Sequence, residues 1–511
     1  MVDTPTETKD QASSRYKSLE KGRQGPLDRA RLNSTLTIPS LIPPDNFDEN
    51  TQLQDPVQNI GTLGVNNLAA KMTLALLPPN TPFFRHDPDE AAAEALEAQQ
   101  EGTISGARKK LAKYDRMAMK KIEASGDRPV IHQANKHLLV SGNVLLDITQ
   151  EKTRLFGLTD YVNVRSPRGE LIELIIRESI ARSALPPEVL AAVQNAEGDK
   201  PEAEDGKPLT LYTHVTLNGE TKMYERYQEI GGVRVKGSEA TYKKNDLPYL
   251  ALRFTAIDGQ HYGRSFVEDL YGDLSTLEGY VTDIRDTSQM ASKVIFLVSP
   301  NGVTRPVEIA EASNGDFVSG DANDITTLQL DKYSDLRLTG ETAVRTEERL
   351  KEQFLLRAGA VRDSERTTAT EIRFVALELD DALSGVHSLL SQEFQRPYIH
   401  LKLKNMKDLP ELPADAVDVT ITTGLEALGR GHELQKLEQW MDGLLSKFGP
   451  EGVSSRIRLE VYAQRTADGM GLDVTDMLIP SEEAQQTQTN NQMTDVAMNA
   501  APQVLKGMIP S

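Results

Sequence analysis

The most constraining stretch of this chain carries apolar side chains at Val267, Leu270, Leu274, Leu277, Val281 and Ile284, spaced three, four, three, four and three. Alternating steps of three and four keep one narrow seam on a helix surface, and such a seam packs nearly parallel against another helix. Ser265 and Glu268 stand ahead of it as an S-x-x-E capping box, in which each side chain bonds a backbone donor that the helix start leaves unmet. The register continues through Ser288, Ala291 and Ile295. A helix of about 30 residues is therefore predicted behind the capping box, ~45 Å long at 1.5 Å per residue. Small residues in its last turns (Ser288, Ala291, Ser292) allow close approach of a neighbouring backbone. From the pattern alone, the plain reading is a long helix packed in its own domain core.

The residues after it form a series. VIFLVSP leaves the helix, and a β-rich insert runs to about residue 335, punctuated by Asn301-Gly302, Asn314-Gly315 and Gly320. A second helix is predicted over 341–356, followed by the short polar segment RAGAVRDSER. Thr368 and Glu371 make another capping box. Behind it a third helix carries Val375, Leu379, Leu383, Val386, Leu390 and Phe394 as one stripe. Pro397 falls late in that helix and predicts a kink or break, because proline removes a donor and clashes with the preceding turn. LPELPADAVDVTITTG is an extended linker, 424–462 reads as helical, and the last thirty residues are Gln/Asn/Met-rich and low in complexity.

The first half is of α+β type. A charged helical patch (16–31) leads to IPSLIPP, whose prolines forbid regular helix. Ile60, Leu63, Val65, Leu68, Met72, Leu74 and Ala75 outline a helix that Pro78 and Pro79 end. Two further helices are predicted over 90–123 and 127–139. Strands follow: VLLDI, a pair turning at Arg168-Gly169, and LYTHVTL with TKMYERYQEI, joined by Asn218-Gly219 as a tight hairpin.

Composition narrows the function. The 511 residues contain no cysteine, which removes disulfides, thiol nucleophiles and Cys-ligated metals. The apolar run 68–77 is short of the ~18 residues of a membrane helix and contains Lys71. No secretory signal is visible, so a soluble protein in a reducing compartment is expected. A net charge of −19 argues against a tight, sequence-reading DNA binder. Catalytic signatures are missing. Gly424 and Gly429 have phosphate-loop spacing, but Arg430 and Gly431 stand where Lys and Ser/Thr are required. There is no G-x-S-x-G and no H-E-x-x-H, and His132 and His137 are five apart, on different helix faces. No metal, cofactor or catalytic residue is assigned. Arg357, Arg362 and Arg366 cluster in the polar segment with Asp363 and Glu365, either as a solvated mixed-charge loop or as a weak phosphate contact.

Several strings resemble the portal, or head-to-tail connector, family of tailed bacteriophages, in particular its short-tailed, T7-like branch. They are LTIPSLIPP (36–44), GVNNLAAKMTLALLPP (64–79), SGNVLL (141–146), YGRSFVEDLYGDLSTLE (262–278), SKVIFLVSPNGVTRP (292–306), NGDFVSG (314–320), TATEIRFVALELDDALSGVHSLLSQEFQRP (368–397) and ITTGLEALGRGHELQKLE (421–438). They occur in family order across most of the chain, and only the last ~50 residues match loosely.

The resemblance implies an α+β portal-type subunit that assembles into a ring: a wing (1–260), a first stem helix (261–295), a β-rich clip (296–340), a second stem helix (341–356), a tunnel loop (357–367), a long kinked wing helix with linker (368–423) and a helical crown with a low-complexity tail (424–511). It implies a dodecamer at one capsid vertex, a channel for double-stranded DNA in packaging and ejection. Its partners would be the packaging terminase, tail adaptor proteins, and major capsid and scaffolding proteins, with no membrane. Assembly would take place in the host bacterial cytoplasm. Arg357, Arg362 and Arg366 would approach the DNA backbone, and the six-residue seam would pack stem helices. Twelve helix pairs at ~10 Å spacing give a circumference of about 120 Å and, after ~5 Å of helix half-thickness, a hole of about 28 Å, wide enough for a duplex. In such a bore the acidic balance keeps phosphates from sticking. Another ring-forming head–tail adaptor and a virion-associated hydrolase are the rival readings.

Overall fold

The computed structural model describes residues 11–45, 47–48, 50–79, 83–88, 103–185, 187, 189–191, 208–291, 295–328, 333–356, 389–405, 417–421, 425–454, 457, 462–463 and 466. The fold is α+β and divides into two units. One comprises residues 1–77, 122–367 and 381–407; the other comprises 78–121, 368–380 and 408–511.

The first unit opens with α1 (Ala12–Thr35), which runs through Pro26 and ends before the proline-rich turn. Its N-terminus is met by Glu229, which accepts from the amides of Ala12 (2.7 Å) and Ser13 (3.3 Å). The buried Arg23 donates through Nη1 to Tyr16 Oη and to the carbonyls of Leu158, Thr159 and Tyr161 at 2.9–3.0 Å. Helix α2 (Ile60–Leu76) stops before Pro78, as the sequence predicts, but Leu63 lies on its exposed side.

In the second unit, β1 (Phe84–Pro88) pairs antiparallel with a C-terminal strand described below. Helix α3 (Thr103–Ala124) contributes Tyr114 and Asp115 to that unit, and Asp115 accepts from the His86 amide (3.1 Å) and bonds its ring.

Back in the first unit, α4 (Asp127–Ser141) is closed by Gly142 in the left-handed conformation (φ 73°). The following strands are β2 (Asn143–Asp147), β3 (Arg154–Phe156), β4 (Tyr161–Arg165), β5 (Leu171–Ile180), β6 (Leu209–Leu217), β7 (Tyr224–Ile230), β8 (Val233–Arg234), β9 (Ala240–Tyr242) and β10 (Tyr249–Arg253). They form a meander β4-β5-β6-β7-β8, with β9 on β7, and a second sheet ordered β10-β2-β3. Between them and α1 lies a core that includes Leu27, Leu145, Leu174, Val215, Tyr249 and Tyr262.

Two turns show how local chemistry sets the meander. Gly169 is left-handed (φ 86°) in the tight turn between β4 and β5, as its sequence suggests. The 218–223 connection differs from the expected two-residue hairpin. Asn218 Oδ1 accepts from the Glu220 amide (2.9 Å), which lengthens the loop, and the left-handed residue is Lys222 (φ 56°).

Two long helices, α5 (Phe266–Ala291) and α7 (Tyr333–Gln353), flank an insert. The insert holds β11 (Ile295–Val298), a short helix α6 (Pro306–Glu311) and β12 (Ile325–Leu328), with β11 and β12 antiparallel. Helix α7 begins at Tyr333, earlier than the expected 341. Gly340 costs an exposed helix ~1 kcal/mol, but Leu336, Ala343 and Leu350 keep a seven-residue spacing across it and Arg337 pairs with Glu341.

The third long helix is described only at its end. A π-helical turn (Ser391–Gln395) precedes α8 (Arg396–Asn405), so the irregularity expected from Pro397 falls in the turn before it. Proline cannot donate to the carbonyl four residues back, and a wider turn absorbs the mismatch. Phe394, Tyr398 and Leu401 are buried, while Val375, Leu379, Leu383 and Val386 lie outside the described residues.

The second unit ends with β13 (Val417–Ile421), partner of β1, and α9 (Leu425–Ser454), broken at Gly449-Pro450. Residues 425–431 are the start of that helix, so the phosphate-loop spacing is helical backbone rather than a cradle.

Candidate functional site

The candidate site is the helical hairpin with its insert and its base. Helix α5 packs on α7, and the two run antiparallel. Phe266 at the start of α5 meets Phe354 just past the end of α7 (ring centroids 5.7 Å apart), and Asp273 pairs with Arg349 (2.9 Å). Of the six seam residues, Val267, Leu274 and Leu277 are buried within the chain; Leu270, Val281 and Ile284 are half-buried. Facing them on α7, Ala343, Thr346, Leu350 and then Phe354 are buried. The cover thins toward the insert, where Met290 and Leu338 are exposed; Val344, midway along α7, is exposed on another face.

The base is a socket made of polar groups and close backbone approaches. The Ser265 hydroxyl accepts from the Glu268 amide (3.1 Å), one half of the expected capping box. Glu268 does not reach back to the backbone; its carboxylate pairs with Arg29 (3.1 Å) and Arg264. Two arginines outcompete a single amide for a carboxylate. Asn33 Nδ2 donates to Ser265 Oγ (2.9 Å), and Asn143 exchanges hydrogen bonds with the Gly263 backbone (2.8 and 3.0 Å). Gly142 lies so close that a Cβ there would sit 2.5 Å from the Arg264 carbonyl carbon. Farther along α5, Glu278 accepts from the amides of Val57 and Gln58 (2.8 and 3.1 Å) at the entry to α2. The strings SGNVLL and YGRSFVEDLYGDLSTLE thus meet at the base, and Gln58 Nε2, which donates to Leu36 O (2.7 Å), ties the start of LTIPSL to the entry of α2. Asn143 and Glu278 lie inside these strings and Asn33 just ahead of LTIPSL, but the sequence gives none of the three a role, because their partners are far away along the chain.

The insert is built differently. Among residues 296–326 only Thr304 is buried. Its hydroxyl donates to Asp324 Oδ2 (3.0 Å) and accepts from the Asp321 amide (2.8 Å). Phe296, Leu297, Val303, Val307 and Phe317 all face outward, Phe317 completely. Arg357, Arg362 and Arg366 lie outside the described residues.

Among the described residues no cluster of three or more His, Cys, Asp or Glu is placed to hold a metal ion, and no helix is long and apolar enough to cross a membrane. His132 Nδ1 is 3.5 Å from Thr73 Oγ1, whereas His137 is buried elsewhere on α4, and burial pushes it down to about 4. The organised features are mechanical: a braced hairpin, a polar socket and an outward apolar tip. They define a structural assembly protein.

Comparison with known proteins identifies its kind. Residues 9–478 match the family described as bacteriophage head to tail connecting protein. The portal protein of Escherichia phage T7 is 37% identical over 508 residues, 98% of this chain and 94% of that protein. The portal protein of Enterobacteria phage T3 is 37% identical over 484 residues (93% and 89%), and that of Enterobacteria phage SP6 30% over 455 (88% and 86%). The chain belongs to the phage head-to-tail connector family, whose members are structural, portal-type components of the virion.

Proposed function

We propose that twelve copies form a ring at one capsid vertex, whose bore conducts double-stranded DNA during packaging and ejection. In this reading α5 and α7 are the stem, the insert is the clip, and residues before about 260 are the wing. The observation that carries it is the braced antiparallel hairpin tipped by outward apolar residues, which one chain leaves uncovered. Half-buried Val281 and Ile284, with exposed Leu338 and Val344, supply surface for a neighbouring stem. The clip supplies the dock for the packaging terminase and later for tail adaptor proteins; major capsid and scaffolding proteins hold the ring in the shell, which assembles in the host cytoplasm. Energy comes from the terminase. Arg357, Arg362 and Arg366 touch phosphates and read no bases.

Negative-stain microscopy of the purified protein tests the ring: twelvefold particles with a central hole are expected, and a monodisperse monomer would overturn it. Replacing all three arginines with alanine is expected to lower the fraction of DNA-filled particles while rings still form. Unchanged filling would remove their role.

A further inference from the structure

Helix α2 presents Gly64, Asn67 and Lys71 at spacings of three and four, on one face. All three meet the C-terminal end of α7. A Cβ on Gly64 would fall 2.3 Å from the Phe354 ring, so only glycine admits the ring there. Asn67 Nδ2 donates to the carbonyls of Phe354 (2.9 Å) and Leu355 (3.1 Å), and Lys71 Nζ donates to Leu355 O (3.1 Å). Lys71 is 1% exposed.

The helix end they grip has a specific form. The Leu356 amide donates to Lys351 O (2.8 Å) and the Leu355 amide to Glu352 O (3.0 Å), the paired bonds of a Schellman motif. That motif puts its penultimate residue in the left-handed region, where glycine is usual. Here the residue is Leu355, at φ 53°. A leucine stays in that conformation when its surroundings over-determine it. Helix α2 supplies that restraint: two side chains on the carbonyls of Phe354 and Leu355, just past the last helical turn, one of them a cation at the negative pole of the helix dipole.

We propose that Asn67 and Lys71 are positioning residues: they fix the direction in which the chain leaves α7, and DNA retention depends on them although neither touches DNA. The second clause rests on the proposed role of Arg357, Arg362 and Arg366. In the sequence Lys71 stands inside the string GVNNLAAKMTLALLPP and interrupts an apolar run, with no role of its own.

The test uses full-length rings, and particles assembled from them, carrying Lys71→Met, Asn67→Ala or Lys71→Arg, beside the triple arginine-to-alanine variant. With Lys71→Met, rings are expected to form, amide exchange at Leu355 and Leu356 to quicken by about tenfold, and DNA filling to fall toward that of the triple variant. Lys71→Arg, which keeps a cationic donor, should restore both. Should Lys71→Met rings fail to assemble, Asn67→Ala, which removes two hydrogen bonds from a half-buried position, gives the same two readouts. Unchanged exchange overturns the clamp. Faster exchange with normal filling, while the triple variant fills poorly, overturns the link to DNA. Normal filling in the triple variant removes the arginine role and with it the link to DNA, and exchange then decides the clamp alone.

Discussion

The core of the first unit, built from α1, α2, α4 and the strands, and the insert at the far end of its hairpin solve the problem of stability in opposite ways. The core hides charge inside. Asp127 and Lys402 form an ion pair at 2.6 Å, each about 1% exposed, with Asp127 also accepting from Thr153 and from Tyr398 Oη (2.7 Å). Glu173 takes Arg15 and His214 at 2.7–3.2 Å; burial pushes its carboxyl up, but those hydrogen bonds outweigh it and bring it to about 2. The insert hides almost nothing and turns its aromatics outward. A region with its charges satisfied inside can stand alone, whereas one with apolar groups outside needs something to cover them.

The largest effect should come from the buried pair. Asp127→Ala strands Lys402, Tyr398 and Thr153 together, and removing one partner of a buried pair costs about 3–5 kcal/mol. Denaturant unfolding of the variant should show that loss. A change below about 1 kcal/mol would mean that the core relies on this network no more than the insert relies on its own contacts.

A second contrast lies in pH. His137 is neutral in the fold because burial lowers it to about 4 from 6.5. The unfolded chain takes up a proton below 6.5 and the folded chain does not until about 4, so stability is full above 6.5 and falls as pH drops toward 4. The loss amounts to about 3 kcal/mol. Unfolding free energies measured from pH 7 to pH 4 should lose that slope in His137→Phe. Glu173 acts lower: its contribution is present above about 4.5 and is lost as pH falls toward 2.

What could be read from sequence follows the same division. The seam of α5 repeats every seven residues, so one helix announced itself without tertiary information, as did α2 and the Gly169 turn. Helix α7 was harder to bound: its expected start at 341 falls just after Gly340, and the structure carries the helix through that glycine from Tyr333. The Ser265–Glu268 box predicted a bond that Arg29, more than two hundred residues away, intercepts. Asn67, Asn143 and Lys71 were invisible as functional residues, since their partners are backbone carbonyls and amides, which carry no sequence signal.

The smallest effect on stability, and the sharpest test of the comparison, lies in the insert. Phe317→Ser and Val303→Ser remove apolar groups that touch little in the single chain, so each should shift its unfolding free energy by no more than about 0.5 kcal/mol. If the insert is the clip of the proposed ring, the same changes delete surface available to a neighbour or a docking partner, and ring yield, or binding of a packaging motor or tail adaptor to formed rings, should fall. Sedimentation of purified variants separates the two losses: fewer rings indicates contact between copies, and normal rings with weak binding indicates the docking face. If assembly and binding both stay normal, the outward aromatics are incidental, and the insert differs from the core only in having less to bury.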